Sequence, residues 1–291
     1  MSSVFVFPGQ GSQSVGMARD LYENNAAARA VFDEVDAALN QKLSDIIFNG
    51  PMEELTLTTN VQPAIMATSI AMLRASGMDV PEYVAGHSLG EYTALCAAGA
   101  LSVADTAKLL RVRGDAMQAA APAGTGLTAV IIGLDIDKVR EICCGTNADV
   151  ANDNCPGQVV VSGEKSAVES VLAAAKDAGA RRAMPLALSV PVHCRMQQSA
   201  ADAMRAALEN IEIRPTRAVL IANKTAAPMT DPAEIKEALV YQMTHGVRWR
   251  ESVLKMHELG ITDMVEVGPG AVLTGLAGRI CGEINAKKME I

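Results

Sequence analysis

Gly86-His87-Ser88-Leu89-Gly90 constrains this chain more than any other stretch, because a G-x-S-x-G pentapeptide asks for one particular backbone shape. It follows a short apolar run, Tyr83–Ala85, and precedes a helical segment, Glu91–Ala98. A strand that turns sharply into a helix brings backbone against backbone, so the flanking residues must be small. The turn lifts the Ser88 hydroxyl clear of a sheet as a nucleophile. It also leaves the Leu89 N–H at a helix N-terminus, facing any developing oxyanion. The bare pentapeptide also fits an ordinary Gly-rich turn; the strand before it and the helix after it are what favour the chemical reading.

The rest of the chain supplies that setting. Short apolar runs alternate with longer amphipathic segments, which predicts an α/β fold with a parallel sheet. Strands are expected at Val4–Phe7, Tyr83–Ala85, Val219–Ala222 and Met264–Val267, each short and bounded by turn residues as doubly covered strands are. Helices are expected near Ala28–Leu39, Ala64–Ala75, Val103–Ala120, Ala200–Leu208, Ala233–Met243 and Trp249–Leu259. Ser102 and Asp105 have the spacing of a capping box at the start of the third.

The middle reads differently. Leu127–Leu134, Asp149–Asn152, Gln158–Ser162 and Arg181–Leu188 are strand-like, and Asp137–Cys144 and Lys165–Ala178 are helical. The order is β-α-β-β-α-β, the ferredoxin-like pattern, with a type II turn expected at Asn154-Cys155-Pro156-Gly157. We therefore expect a small subdomain over residues 126–189, inserted into a large core made of 1–125 and 190–291, with a ligand cleft between the two.

Composition narrows the function. Of 291 residues, 25 are basic and 33 acidic, giving a net charge of −8, and 49% are hydrophobic. That balance excludes a disordered chain and argues against a protein that coats nucleic acid. Met1–Gln10 lacks a basic leader region, and no window has the length of a membrane span, so a cytoplasmic protein is expected. The six cysteines form no C-x-x-C pair and the four histidines show no metal-ligand spacing, so reduced thiols and no metal are expected.

A serine nucleophile needs a base. His87 sits inside the turn and should point away from Ser88, while His245 and His257 lie in or beside helical segments. His193, in Ser189-Val190-Pro191-Val192-His193, leaves the small subdomain and can hang over Ser88; sequence mechanics alone make it the favourite of four. After the first strand, Phe7-Pro8-Gly9-Gln10-Gly11-Ser12-Gln13 lacks both common phosphate-loop patterns. An oxyanion hole completed by the Gln10 N–H fits it better.

Taken together, these strings resemble the malonyl-CoA:acyl carrier protein transacylases and their polyketide-synthase relatives. The resemblance spans nearly the whole chain: FPGQGSQ at Phe7–Gln13, GHSLGEY at Gly86–Tyr92, VRGDAMQ at Val112–Gln118, NDNCPGQVVVSG at Asn152–Gly163, VPVH at Val190–His193 and EVGPG at Glu266–Gly270. It implies an α/β-hydrolase-like core with a ferredoxin-like insert, and a ping-pong transfer of malonyl from CoA to a carrier protein through an acyl-serine. By the same resemblance Ser88 is the nucleophile, His193 the base, and Gln10 and Leu89 the oxyanion donors. Arg113 would hold the malonyl carboxylate and Gln62 would line the acyl pocket. A backbone carbonyl, assigned to Arg248 from the Gly246-Val247-Arg248-Trp249 match, would orient the histidine. No cofactor is implied beyond the substrate malonyl-CoA, and a monomer is expected.

Three features depart from that pattern or compete with it. Val192, the neighbour of the base, is neither the aromatic nor the serine associated with the two common extender units, which leaves a branched acyl group as an alternative. Cys194 could be mistaken for the nucleophile. A serine thioesterase or hydrolase shares the same turn, although the acidic residues between Ser88 and His193 considered for its third triad member, Asp149, Asp153, Glu164, Glu169 and Asp177, all map to the insert. For an acidic carrier partner, a basic surface including Arg181, Arg182, Arg195 or Lys224 is expected near the cleft mouth.

Overall fold

The computed structural model describes residues 2–122, 124–216 and 218–291. Six strands form the large sheet: β1 (Ser2–Phe7), β2 (Tyr83–Gly86), β7 (Val219–Ala222), β8 (Ala227–Met229), β9 (Ile261–Glu266) and β10 (Asn285–Lys288). Their order is β10-β9-β1-β2-β7-β8, parallel throughout except for the antiparallel β7–β8 pair. Four more strands, β3 (Gly126–Ile132), β4 (Ala148–Cys155), β5 (Gln158–Glu164) and β6 (Arg182–Pro185), form a separate antiparallel sheet in the order β4-β5-β3-β6. The molecule is thus an α/β core with a parallel sheet plus a ferredoxin-like subdomain.

β1 shows why the large sheet is buried on both faces. Phe5 and Phe7 pack into one apolar cluster with the helices Ala26–Leu39 and Thr58–Ser76, while Val4 and Val6 point the other way, towards Trp249, Val253 and Leu273. Alternate residues of one strand therefore supply two cores. The subdomain has its own core, in which Val139 and Val168 from its two helices cover Ala129, Ile131 and Val161.

Differences from the expected elements have local causes. The helix expected from Ala64 begins at Thr58 and carries Pro63 inside it; nearly every side chain from Thr58 to Ala71 is buried, and that packing outweighs one lost backbone bond. β8 contains Pro228 and β10 is polar, as edge strands are, so neither shows an apolar run. The short helices Arg19–Asn24, Leu43–Asn49 and Met52–Thr56, and the helix Val272–Ile280, were also outside the expected set. Ser102 does cap its helix, accepting the Asp105 N–H at 3.0 Å while donating to Asp105 Oδ2 at 2.6 Å. No helix among the described residues is long and apolar enough to cross a membrane.

Parallel strands deliver their C-terminal ends to one edge, and there the site assembles. Gly86 ends β2 against Gly90, and Gly90 lies against the Phe7 carbonyl of β1, so a Cβ at either position would overlap backbone. Gly86→Ala is expected to destabilise the protein by about 3 kcal/mol or more, as overpacking against atoms that cannot move aside. Gly275→Ala, on an exposed helical position with open space around it, is expected to stabilise slightly. Thermal unfolding of the two variants checks this, and similar melting temperatures would contradict the close packing at the turn.

Candidate active site

Ser88 occupies φ 56°, ψ −113°, a backbone region that costs a non-glycine residue roughly 1–3 kcal/mol. Side-chain and backbone bonds hold it there. The Ser88 N–H donates to Asn223 Oδ1 at 2.9 Å, Asn223 Nδ2 donates to the Gly86 carbonyl at 2.6 Å, and the His87 N–H donates to the Phe7 carbonyl at 3.0 Å. Leu89 opens the following helix, so its N–H belongs to the first turn, where intrahelical acceptors are absent.

His193 Nε2 lies 2.7 Å from Ser88 Oγ. On the other side of the ring, Nδ1 lies 2.5 Å from the Gln242 carbonyl. A carbonyl only accepts, so Nδ1 carries the proton and Nε2 is left free to take one from Ser88. His193 sits at φ 52°, and the subdomain braces the loop that carries it: the Val192 N–H donates to Ser162 Oγ of β5 at 2.8 Å. Gln197 Nε2 adds a bond to the Pro191 carbonyl at 2.6 Å.

The remaining histidines separate clearly. His87 turns away from Ser88, with Nε2 2.9 Å from Asn154 Oδ1, and burial pushes its pKa down. His245 is exposed and stacked on Tyr241, and His257 is paired with Glu283 at 2.7 Å. Cys194 is fully buried and its thiol is pushed up by that burial, so the reactive thiolate is disfavoured.

The carbonyl that orients His193 is therefore that of Gln242, which corrects the assignment to Arg248. The Arg248 carbonyl is engaged by its own helix, accepting the Ser252 N–H at 2.9 Å and Ser252 Oγ at 3.0 Å. Gln242 caps the helix Pro232–Tyr241, and carbonyls at a helix C-terminus are free to accept elsewhere.

Arg113 is 1% exposed. Its Nη2 donates to Ser88 Oγ at 3.1 Å and to Gln242 Oε1 at 2.8 Å, and Nη1 donates to Gln62 Oε1 at 2.6 Å. The guanidinium also lies over the Tyr92 ring, and its Nε has no partner among the described residues. The groups that touch it are amide and hydroxyl oxygens rather than a carboxylate, so this is not a surface ion pair. Burial lowers its pKa, while Tyr92 and Glu91 act against that shift. Glu91, wholly buried, is pushed up to about 7 by desolvation, against the bonds from Asn223 and Gln242 and the charge of Arg113.

Gln10 lies in the turn after β1, beside a cleft of about 320 Å³ between the two sheets, lined by Gln10 and His87 on one side and by Asn152, Asn154 and Leu188 on the other. Of the basic residues expected at the cleft mouth, Arg195 is bound to Asp149 at 2.6 Å, and Lys224 lies over the Tyr241 ring. Lys224 lines a groove of about 240 Å³ with Arg140, His245 and Arg248. Arg181 and Arg182 are exposed. The one group of three metal-capable side chains found among the described residues, His257, Cys281 and Glu283, precedes β9 and β10. It therefore lies at the N-terminal edge of the parallel sheet, opposite Ser88.

Sequence reasoning missed Asn223, Gln242 and Glu91. Asn223 had a signal: it follows the apolar run Val219–Ala222 directly, where a parallel strand delivers its ligands. Glu91 lay in view within GHSLGEY, one turn after the nucleophile. Gln242 had none, because its importance comes from where its helix ends in space.

Comparison with known proteins places this arrangement in context. Residues 4–287 match the family model described as the acyl transferase domain. The malonyl CoA-acyl carrier protein transacylase of Bacillus subtilis is 45% identical over 284 residues, covering 95% of this chain and 89% of that protein. The crystal structure of the acyl-carrier-protein S-malonyltransferase from Bartonella henselae superposes with a TM-score of 0.96 at 49% identity, covering 99% of this chain and 95% of that one. A malonyl-transacylase in complex with a type II polyketide acyl carrier protein also reaches 0.96, at 41% identity over 99% and 96% of the two chains.

Burial, and after it the positive charge of Arg113, pushes His193 from 6.5 down to about 3, against the bond to the Gln242 carbonyl. Protonation would abolish the base, so the lowered value keeps it competent. Histidine-ring NMR at pH 6, where an unperturbed imidazole is more than half protonated, is expected to show His193 neutral. Arg113→Ala removes a repelling charge and is expected to raise the titration midpoint. A midpoint that stays put or falls would contradict the coupling.

Proposed function

Because the chain belongs to the acyl transferase domain family, we propose that it moves a malonyl group from coenzyme A to the phosphopantetheine thiol of an acyl carrier protein through an acyl-serine ester. The observation that carries the malonyl reading is the buried Arg113, whose Nη2 lies 3.1 Å from the nucleophilic oxygen. A buried cation there favours an acyl group that ends in a carboxylate, and guanidinium geometry suits one.

The proposed cycle uses these groups in turn. Ser88 Oγ attacks the thioester carbonyl while His193 Nε2 takes its proton. Donors on Leu89 and Gln10 steady the oxyanion of the tetrahedral intermediate. Collapse expels the CoA thiol, which leaves with the proton from His193. The carrier's thiol then gives its proton to His193 and attacks the ester, and Ser88 recovers a proton as it departs. Each step uses backbone and side-chain groups of this chain, so the proposed cycle calls for no metal or redox cofactor. A carrier protein with acidic surface would meet Lys224 in its groove by charge complementarity, Arg248 being paired with Glu251 and Arg140 with Asp137.

Intact mass after brief mixing with malonyl-CoA is expected to show a malonyl adduct that requires Ser88 and discharges onto holo-carrier protein. CoA release without an adduct would point to hydrolysis instead. Arg113→Ala is expected to lower kcat/KM for malonyl-CoA by about 100-fold more than for acetyl-CoA, the scale of losing charge-assisted bonds. Equal losses on the two substrates would make Arg113 structural.

A further inference from the structure

Glu91 has no part in the cycle above, yet its carboxylate is fully buried one turn from the nucleophile. Two N–H groups from distant segments converge on it. Oε1 accepts the Asn223 main-chain N–H at 2.8 Å, and Oε2 accepts Gln242 Nε2. The other end of the same Gln242 amide, Oε1, accepts Arg113 Nη2 at 2.8 Å. Glu91 and Arg113 are thus joined through the side-chain amide of Gln242, the residue whose main-chain carbonyl also holds His193.

We infer that Glu91 is a positioning residue: by fixing which way the Gln242 amide faces, it keeps an acceptor against Arg113 and so sets the preference for a carboxylated acyl group. The inference rests on the malonyl-transfer reading. A glutamine amide that is 1% exposed has two useful orientations, related by a half-turn. Above about pH 7, where Glu91 is ionised, it only accepts and a guanidinium only donates, so both neighbours select the same one, and the Ser88 carbonyl, 3.5 Å from Gln242 Nε2, selects it too. Turned round, the amide would set NH2 against a guanidinium N–H and drive Arg113 off its position beside Ser88 Oγ. A carboxylate, unlike a neutral amide of the same size, can accept both converging donors.

The two donors differ in freedom. The Asn223 N–H belongs to the main chain and is fixed, whereas the Gln242 amide is on a side chain and can turn. In Glu91→Gln the new carbonyl therefore stays with Asn223, and the new NH2 faces Gln242, which rotates and presents its own NH2 to Arg113. Glu91→Gln is expected to lower the malonyl-to-acetyl ratio of kcat/KM by about tenfold, mainly through a raised KM for malonyl-CoA. Gln242→Leu removes the side-chain amide but keeps the carbonyl that orients His193, and is expected to lower the same ratio; because Glu91 acts through that amide, adding Glu91→Gln in this background is expected to change the ratio no further. A folded variant that loses both activities in equal proportion, or keeps the wild-type ratio, overturns the inference. Failure of the wild-type protein to form a Ser88 malonyl adduct would overturn the malonyl reading and this inference with it. A wild-type adduct whose selectivity survives both substitutions overturns the inference alone.

Discussion

A guanidinium with almost no exposure, set beside a serine hydroxyl, is the constraint round which this site is arranged. A buried charge without compensation costs several kcal/mol, and the usual remedy is a carboxylate in direct contact. Here the contacts are Gln62 Oε1, Gln242 Oε1, Ser88 Oγ and the face of Tyr92. They hold both terminal nitrogens without cancelling the charge, and Nε stays without a partner among the described residues. The nearest anionic partner in the network, Glu91, stands one amide away, so its field reaches Arg113 while its oxygens stay occupied elsewhere. The result is a cation held in place and still available to an anion.

The fold was legible wherever burial was two-sided. β1, β2 and β7 are short apolar runs because both faces are covered, and Val103–Ala120 ends where its pattern ends. The antiparallel subdomain was legible for another reason: the Pro156-Gly157 turn and the two flanking helices spell out its order. Legibility failed at edges. β8 and β10 are short and carry proline or charge, and their pairing is decided by neighbours far away in the chain. The helix Thr58–Ser76 was read short because Pro63 interrupts a pattern that tertiary packing sustains.

At the site, the Ser88 turn was legible because it imposes small residues on both sides, a local demand that sequence can display. The structure sets His193 and Arg113 against Ser88, at 2.7 and 3.1 Å. What was not legible was the set of groups that act through position alone. The orienting carbonyl shows the difference. Any residue has a carbonyl, so no side chain advertises it, and an assignment six residues away from Gln242 was as plausible on sequence grounds. The helix decides: Arg248 begins one and gives its oxygen to Ser252, whereas Gln242 ends one and has an oxygen to spare.

That the orienting group is a carbonyl has a consequence for the charge balance. A carboxylate at His193 Nδ1 would raise the imidazole pKa and bring a full negative charge into the same buried space as Arg113. The guanidinium would then have an internal partner competing with the acyl carboxylate, and the preference for a charged acyl group would weaken. A carbonyl fixes the tautomer and the ring plane with a dipole instead of a charge. His193 stays neutral, because burial and Arg113 both oppose its protonation, and Arg113 has no acid in direct contact among the described residues. In the proposed cycle, base and anion anchor can therefore share one buried site, as attack on a carboxylated thioester requires.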